Sequence, residues 1–214
     1  MRQILCRKLL VLNLDNNQIA ETDLRGHSKL KTLSLNKNKL INFKGIENLT
    51  NLETLSAAEN PELAQIGAIQ NCPKLRSLNI EKTKVESFES VPDLPALEEL
   101  NMAGCPIAKI EEIGKLISLK SLQSLNLTET PLAEEKGDDL KKEVLIILDG
   151  LNFKTFNGEE VSAEDIADAK NEKAERLKAA EEARKEAEEQ ARIAAEEAAA
   201  AAKAAEEAAA EENA

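Results

Sequence analysis

The chain has 214 residues and a formal net charge of −12, with four Phe and no Trp or Tyr. This length fits one domain, or one domain with an extension, and its core must be aliphatic. The acidic charge argues against nucleic acid as a partner, because phosphates would be repelled. No run of about 18 apolar residues occurs, so no membrane-spanning helix and no membrane partner are expected.

The first residues do not predict a secretory signal, because Arg7 and Lys8 divide the apolar run and no small-residue cleavage site follows. Cys6, Cys72 and Cys105 are an odd number of cysteines without a CxxC pair. This usage favours reduced thiols in an intracellular, cytoplasmic protein.

From residue 9 onward a pattern LxxLxLxxN recurs, and its copies are spaced by 21, 22, 23, 22 and 25 residues. Such a fixed period predicts an α/β solenoid of about six stacked coils that share one core. In each copy the xLxL stretch predicts a short strand with alternate side chains pointing inward. The second leucines of the six copies are Leu12, Leu33, Leu55, Leu78, Leu100 and Leu125.

The ninth position of the pattern predicts a turn, where an Asn amide can satisfy backbone groups left unpaired at the bend. Thr83, Cys105 and Thr130 replace Asn in three copies, so fewer or weaker hydrogen bonds are expected there. Between the strands, apolar residues recur about every three positions, as from Leu40 to Leu52. This spacing favours 3₁₀ turns or short irregular helices.

Both ends of the solenoid would expose a sheet edge. Residues of about 133–158 are expected to form a C-terminal cap, because the apolar positions from Leu140 to Leu148 have helical spacing and the segment closes at Leu148, Asp149 and Gly150. At the other end, either a strand from Gln3 to Arg7 makes a minimal edge or a partner covers it. The predicted repeat domain with its cap is therefore residues 1–158.

Residues 159–214 predict an extended helix rich in Ala, Glu and Lys. Ser162 and Asp165 resemble a capping box at its start. Ion pairs four residues apart are expected for Glu172–Arg176, Glu181–Lys185 and Glu188–Arg192. The helix can be a solvated spacer, one strand of a coiled coil, or a helix lying along a larger assembly.

The repeat resembles the 22-residue class of leucine-rich repeats, which includes the phosphatase-regulator, axonemal dynein light chain and acidic nuclear phosphoprotein types. The stretch from Leu122 to Gly150 is similar to the C-terminal cap motif of that class, which also ends in a Leu-Asp pair. Cys72-Pro-x-Leu75 resembles the acidic nuclear type. The resemblance implies a right-handed leucine-rich-repeat superhelix that binds proteins and does not catalyse a reaction.

No residue set predicts catalysis, a cofactor or a metal ion. His27 is the only histidine and falls in a predicted turn, Cys105 is expected to be buried, and no phosphate-binding glycine motif occurs. We therefore expect a protein that is not an enzyme and has no small-molecule substrate.

The outward positions of the strands predict a concave, polar face without Trp or Tyr, which is either a partner-binding surface or simply a soluble sheet surface. The predicted partner-binding residues are Asn13, Ser34, Ser56, Asn79, Asn101 and Asn126 in one column, with Thr32, Thr54, Ser77, Glu99 and Glu81 beside it.

Two functions fit this organisation. The first is a non-catalytic protein–protein interaction adaptor that binds other proteins through the concave face and the helix. By analogy it would be a structural part of a cytoskeletal or ciliary (flagellar, axonemal) assembly. The second is a free regulatory subunit of the acidic nuclear phosphoprotein or phosphatase-regulator type, which would allow a nuclear location.

Overall fold

A computed structural model describes residues 8–211, with side chains to residue 195. The predicted N-terminal segment Gln3 to Arg7, and Cys6 within it, lie outside these residues. In the described part the strands form one eight-stranded sheet in chain order, parallel except for the last pair. The strands are β1 (Val11–Asn13), β2 (Thr32–Ser34), β3 (Thr54–Ser56), β4 (Ser77–Asn79), β5 (Glu99–Asn101), β6 (Ser124–Asn126), β7 (Thr155–Phe156) and β8 (Glu159–Glu160).

The strands of β1–β6 lie where the repeat predicts them, and the central leucines pair in register from Leu12 to Leu125. From Leu33 onward these leucines are at most 2% exposed, whereas Leu12 in the first coil is only partly buried. Each coil shares its core with its neighbours, so the apolar inward face is continuous.

The ninth-position side chains form the predicted ladder. The Nδ2 group of Asn60, which is fully buried, donates to the carbonyls of Leu35, Ala57 and Ala58, and its Oδ1 accepts from the Leu40 N–H. Asn38 makes the equivalent bonds one coil earlier.

The ladder makes fewer hydrogen bonds where Asn is replaced, as expected. The hydroxyl of Thr83 donates to the Ile80 carbonyl and lies 3.4 Å from Cys105 Sγ. Thr130 Oγ1 donates only to the Leu127 carbonyl. Cys105 is fully buried, and this burial raises the pKa of its thiol.

The returning segments contain 3₁₀ helices, as the spacing of three predicts. They are Gly67–Asn71, Phe88–Ser90 and Ile110–Ser118. In Phe88–Ser90 the Ser87 hydroxyl caps the first turn by accepting from the Glu89 N–H.

The predicted cap is helical but is divided into two helices, α1 (Pro131–Lys136) and α2 (Asp139–Ile147). Thr130 caps α1 by accepting from the Ala133 N–H, and Gly137, at φ 54°, ends it in the left-handed region. Leu148 is 2% exposed beneath the end of α2, Asp149 is partly buried, and Gly150 turns the chain at φ 99°.

The β7–β8 hairpin continues the sheet beyond the predicted repeats. Phe156 pairs with Leu125 and is 3% exposed, so it occupies the position of the inward leucine. The Asn157 N–H donates to the Leu125 carbonyl, and Asn157 Oδ1 accepts from the Leu127 N–H at 2.7 Å. The hairpin therefore pairs with β6 and supplies hydrogen-bond partners for backbone groups at the edge that β6 would otherwise expose.

Helix α3 (Ala163–Glu211) begins at the predicted capping box. Asp165 Oδ2 accepts from the Ser162 N–H, and the Asp165 N–H donates to Ser162 Oγ. A first compact unit ends at Ala169, and the second covers Lys170–Ala214. The segment Val161 to Ala169 packs on the core of the first unit, and the sequence-based boundary after residue 158 falls before it.

Two of the three predicted ion pairs in α3 are confirmed, Glu172–Arg176 at 2.5 Å and Glu181–Lys185 at 2.8 Å. The third is wrong. Arg192 pairs with Glu189 one residue closer, and Glu188 pairs with Arg184 instead. Successive glutamates on one helix give Arg192 a choice of partner that spacing alone does not resolve.

Among the described helices, none combines the length and the apolar character needed to cross a membrane.

Candidate functional site

The outward side chains of β1–β6 stand in columns, because the strands are parallel and in register. Asn13, Ser34 and Ser56 are followed in the same column by Asn79, Asn101 and Asn126. Thr32, Thr54, Ser77 and Glu99 form a second column, two residues earlier along each strand. We call these two columns, with the residues that follow each strand, the strand face.

In the first half of the strand face, over β1–β3, the two serine hydroxyls bond to side chains of the preceding coil. Asp15 Oδ1 accepts from the Ser34 hydroxyl at 2.6 Å and from the Asn36 N–H at 2.7 Å. Asn36 repeats this one coil later, where its Oδ1 accepts from the Ser56 hydroxyl and the Ala58 N–H. These bonds use the groups that a partner would otherwise contact.

The Asp15 carboxylate reflects this network. Partial burial raises its pKa, but the hydrogen bonds from Ser34 and Asn36 outweigh that effect and leave the pKa below its ordinary value. Asp15 is therefore a structural anion of the first two coils.

The second half, over β4–β6, has asparagine where β2 and β3 have serine, and its side chains bond locally, as that of Asn13 does on β1. Asn79, Asn101 and Asn126 each accept, through Oδ1, the N–H of the residue two places later. These Asx turns leave the Nδ2 groups directed away from the backbone they cap. Asn101 Nδ2 reaches Glu81 at 3.4 Å, whereas those of Asn79 and Asn126 have no hydrogen-bond partner among the described residues.

A shallow depression of about 300 Å³ lies over this second half. Six of the residues around it are outward side chains of β4–β6, and the β7–β8 hairpin contributes Gly158 at one end. The residues lining it are Ser77, Leu78, Asn79, Glu99, Leu100, Asn101, Ser124, Asn126 and Gly158. The structure thus gathers five of the sequence-predicted residues, Ser77, Asn79, Glu99, Asn101 and Asn126, into one concavity.

The other predicted residues lie apart from the depression. Asn13, Thr32, Ser34, Thr54 and Ser56 belong to the first half of the face. Glu81 follows β4 and lies beside Asn101 and Lys82. Ser124 continues the predicted second column beyond Glu99. Gly158 was not predicted, because the hairpin that carries it has no repeat-like leucines to reveal it.

Cations border the strand face but are paired. Lys31 contacts Glu53 at 2.8 Å and Arg76 contacts Glu98 at 2.6 Å along one border. Lys82 lies 3.4 Å from Glu129 on the other border. Within the strand face itself, inside these borders, the charged residues are all acidic: Asp15, Glu81 and Glu99.

A larger depression, of about 580 Å³, lies between residues 21–25 and 44–48. Within it, Arg25 makes two bonds to Asp23, and Glu47 accepts from the Gly45 N–H. We favour the smaller depression as the functional site, because outward side chains of three adjacent strands line it and five of the sequence-predicted residues are among them.

No cluster of His, Cys, Asp or Glu able to hold a metal ion is found among the residues that the structure describes. His27 Nδ1 is buried and has no hydrogen-bond partner in that part of the chain. Burial raises the pKa of the Cys72 thiol to about 11, which disfavours the reactive thiolate.

The comparisons with known proteins identify the fold. No family model matches the chain, and no curated protein matches it. Among solved structures, the chain is similar to the leucine-rich repeat domain of the type III effector XopL, at 23% identity and TM-score 0.51, covering 59% of this chain and 46% of that one. It is also similar to TLR13 in a complex with ssRNA13, at 24% identity and TM-score 0.54, covering 69% of this chain and 21% of that one.

A third similar structure is internalin C2 of Listeria monocytogenes, at 29% identity and TM-score 0.46, covering 54% of this chain and 51% of that one. The chain thus spans about half or less of the length of these structures. The chain has the leucine-rich-repeat fold.

Proposed function

We propose that this leucine-rich-repeat chain, with about six repeats in a right-handed superhelix, is a non-catalytic protein-binding adaptor. The observation that carries the proposal is the difference between the two halves of the strand face. On β2 and β3 the hydroxyls of Ser34 and Ser56 donate to Asp15 and Asn36, whereas on β4 and β6 the Nδ2 groups of Asn79 and Asn126 have no partner among the described residues.

Hydrogen-bond donors of this kind suit the main-chain carbonyls of another protein. A site that must pair each polar group gains specificity, because a wrong partner would leave buried groups unsatisfied. The absence of Trp and Tyr from the chain argues for a polar, moderate-affinity contact rather than one built on aromatic anchors. The proposal requires no cofactor, metal ion or small-molecule substrate.

Nucleic acid is not the proposed partner. The net charge of −12 and the acidic residues Glu81 and Glu99 on the face would repel phosphates. The RNA in the TLR13 structure belongs to that complex and does not make RNA a partner of this chain.

The experiment that tests the site is photo-crosslinking. We would place p-benzoylphenylalanine at Ser77 of β4, at Thr32 of β2 in the same column, and at the exposed Gln70 of a returning segment. The proposal predicts crosslinks to protein from Ser77 and few from Thr32 or Gln70. Equal yields from all three positions, or a higher yield from Thr32, would contradict it.

Helix α3 supports the further proposal that the adaptor is part of a larger assembly, for which a cytoskeletal or ciliary setting is our first choice. Removing residues 170–214 deletes the second unit and leaves the packed segment ending at Ala169 in place. We expect the shortened protein to fold but to be lost from the assembly. If it assembles normally, the alternative of a free regulatory subunit is favoured.

A further inference from the structure

Glu99 differs from the other two acidic residues of the strand face. The Asp15 carboxylate accepts hydrogen bonds from Ser34 and Asn36, and Glu81 is close to Asn101 Nδ2 and Lys82. Glu99 is exposed, and it makes no hydrogen bond or ion pair with any residue that the structure describes. An unpaired carboxylate at the centre of a concavity is therefore available to a ligand.

Arg76 is the cation that interacts electrostatically with Glu99, but it is already paired with another residue. Its guanidinium donates to Glu98 through both Nε and Nη2, at 3.1 Å and 2.6 Å. Glu98 holds Arg76 at the border of the face, and the position over Glu99 remains open within the depression.

Two hydroxyl groups flank Glu99 in the sheet. Glu99 on β5 pairs in register with Ser77 of β4 on one side and with Ser124 of β6 on the other. Neighbouring strands lie about 4.8 Å apart, so the three side chains form a short row of oxygen acceptors. Ser124 Oγ already accepts a hydrogen bond from the Thr155 hydroxyl, which fixes its position.

We propose that this row binds an arginine side chain of a partner protein, with Glu99 as its counter-ion. A guanidinium presents five donors in one plane and can bond to the carboxylate and a neighbouring hydroxyl together, whereas an ammonium acts as a point charge. The partner segment crosses the strands, so that its main-chain carbonyls meet the Nδ2 groups of Asn79, Asn101 and Asn126 two residues further along. This inference rests on the proposed function and names the chemistry of its partner.

The probe is the blocked pentapeptide Gly-Gly-Arg-Gly-Gly, titrated into the full chain at low salt while the side-chain amide signals of asparagine are followed by NMR. We expect the signals of Asn79, Asn101 and Asn126 to shift and that of Asn13 to stay. Glu99→Gln should weaken binding about tenfold, because a charge-assisted pair is lost, and higher salt should weaken binding to the unaltered chain. Glu62→Gln, which removes the same charge from an exposed turn outside the depression, should leave the affinity unchanged.

Four results would overturn the inference. They are equal affinity for the peptide with Gln in place of Arg, no effect of Glu99→Gln, tighter binding of a single-stranded RNA oligonucleotide, or shifts of the same amides on raising the protein concentration without peptide. If crosslinking from Ser77 still identifies this half of the face, the arginine site fails while the proposed function stands.

Discussion

Asn157 Oδ1 accepts the backbone N–H of Leu127 at 2.7 Å. In earlier coils the equivalent N–H bonds to a carbonyl of the next strand, as Leu35 does with Ser56. A side chain thus replaces the main-chain acceptor where the repeats end, so the cap is a hydrogen-bonded continuation of the ladder as well as an apolar cover.

Replacing Asn157 with glycine should lower the free energy of unfolding by roughly 1–3 kcal/mol, because the Leu127 N–H loses its acceptor. Glycine readily adopts the backbone conformation of Asn157, at φ 52°. The loss of stability therefore reports on the side-chain hydrogen bond alone. Urea unfolding followed by circular dichroism would measure it.

The matched control is Asn16→Gly. Asn16 has φ 58° in the first coil, and its side chain makes no hydrogen bond with the residues that the structure describes. We expect a change within about 0.5 kcal/mol. Equal losses in the two variants would show that the Asn157 side chain is not what completes the ladder.

A second prediction concerns the start of α3, where Asp165 Oδ2 lies 2.9 Å from Lys141 Nζ. The hydrogen bond from Lys141, with those from Ser162, lowers the pKa of Asp165 from 3.8 to about 2. A lowered pKa stabilises the folded state at pH values above the unfolded pKa, near 4, and this contribution is lost as the pH falls towards 2.

Asp165→Asn should therefore be less stable than the unaltered chain at pH 7, and the difference should shrink between pH 4 and pH 2. Thermal unfolding across this pH range measures it. Asp168→Asn, which removes a charge from the same helix, is the control and should show little difference at any pH. A difference for Asp165→Asn that grows on acidification would contradict the assignment.

A third prediction concerns the close approach of the first two coils at Gly45. A Cβ atom on Gly45 would lie 1.9 Å from the Thr22 carbonyl oxygen, and its φ is +95°. Gly45→Ala should cost on the order of 3 kcal/mol or more, because the backbone of one coil must move. Gly67→Ala meets nothing within 4 Å and should change the stability by less than about 1 kcal/mol, so similar losses at both sites would argue against the contact.

The sequence predicted the inward leucines and the order of β1–β6 because a period of about 22 residues determines which side chains stack. It did not predict β7. Phe153 and Phe156 stand where two leucines of the pattern would be, and Phe156 follows Leu125 after 31 residues instead of 22 or so. Aromatic residues in the leucine positions were the available signal.

The backbone conformation of the turns could not be read from residue types. Lys37, Glu59, Lys82 and Glu129 adopt φ between 52° and 57°, although glycine and asparagine are the usual residues there. The N–H of Lys37 donates to the Ala58 carbonyl and that of Lys82 to the Ala103 carbonyl, so bonds between coils offset the local strain.

The sequence also predicted the columns of the strand face, but it treated the face as uniform. The distinction between its halves depends on which side-chain atoms meet. Ser34 reaches Asp15 in the neighbouring coil, whereas Asn79 bonds to its own strand. Only the three-dimensional positions of these atoms show which side chains bond across the coils and which keep a free donor.

The most direct test removes the free donors without adding charge. Asn79→Ser and Asn126→Ser keep a side-chain oxygen that can accept from the N–H two places later and remove Nδ2, while Asn13→Ser makes the same change in the other half of the face. Partner binding would be measured as the yield of Ser77 photo-crosslinks in the full chain. We predict a loss of about tenfold or more for the double variant and none for Asn13→Ser; an unchanged yield in the double variant would contradict the proposed binding site.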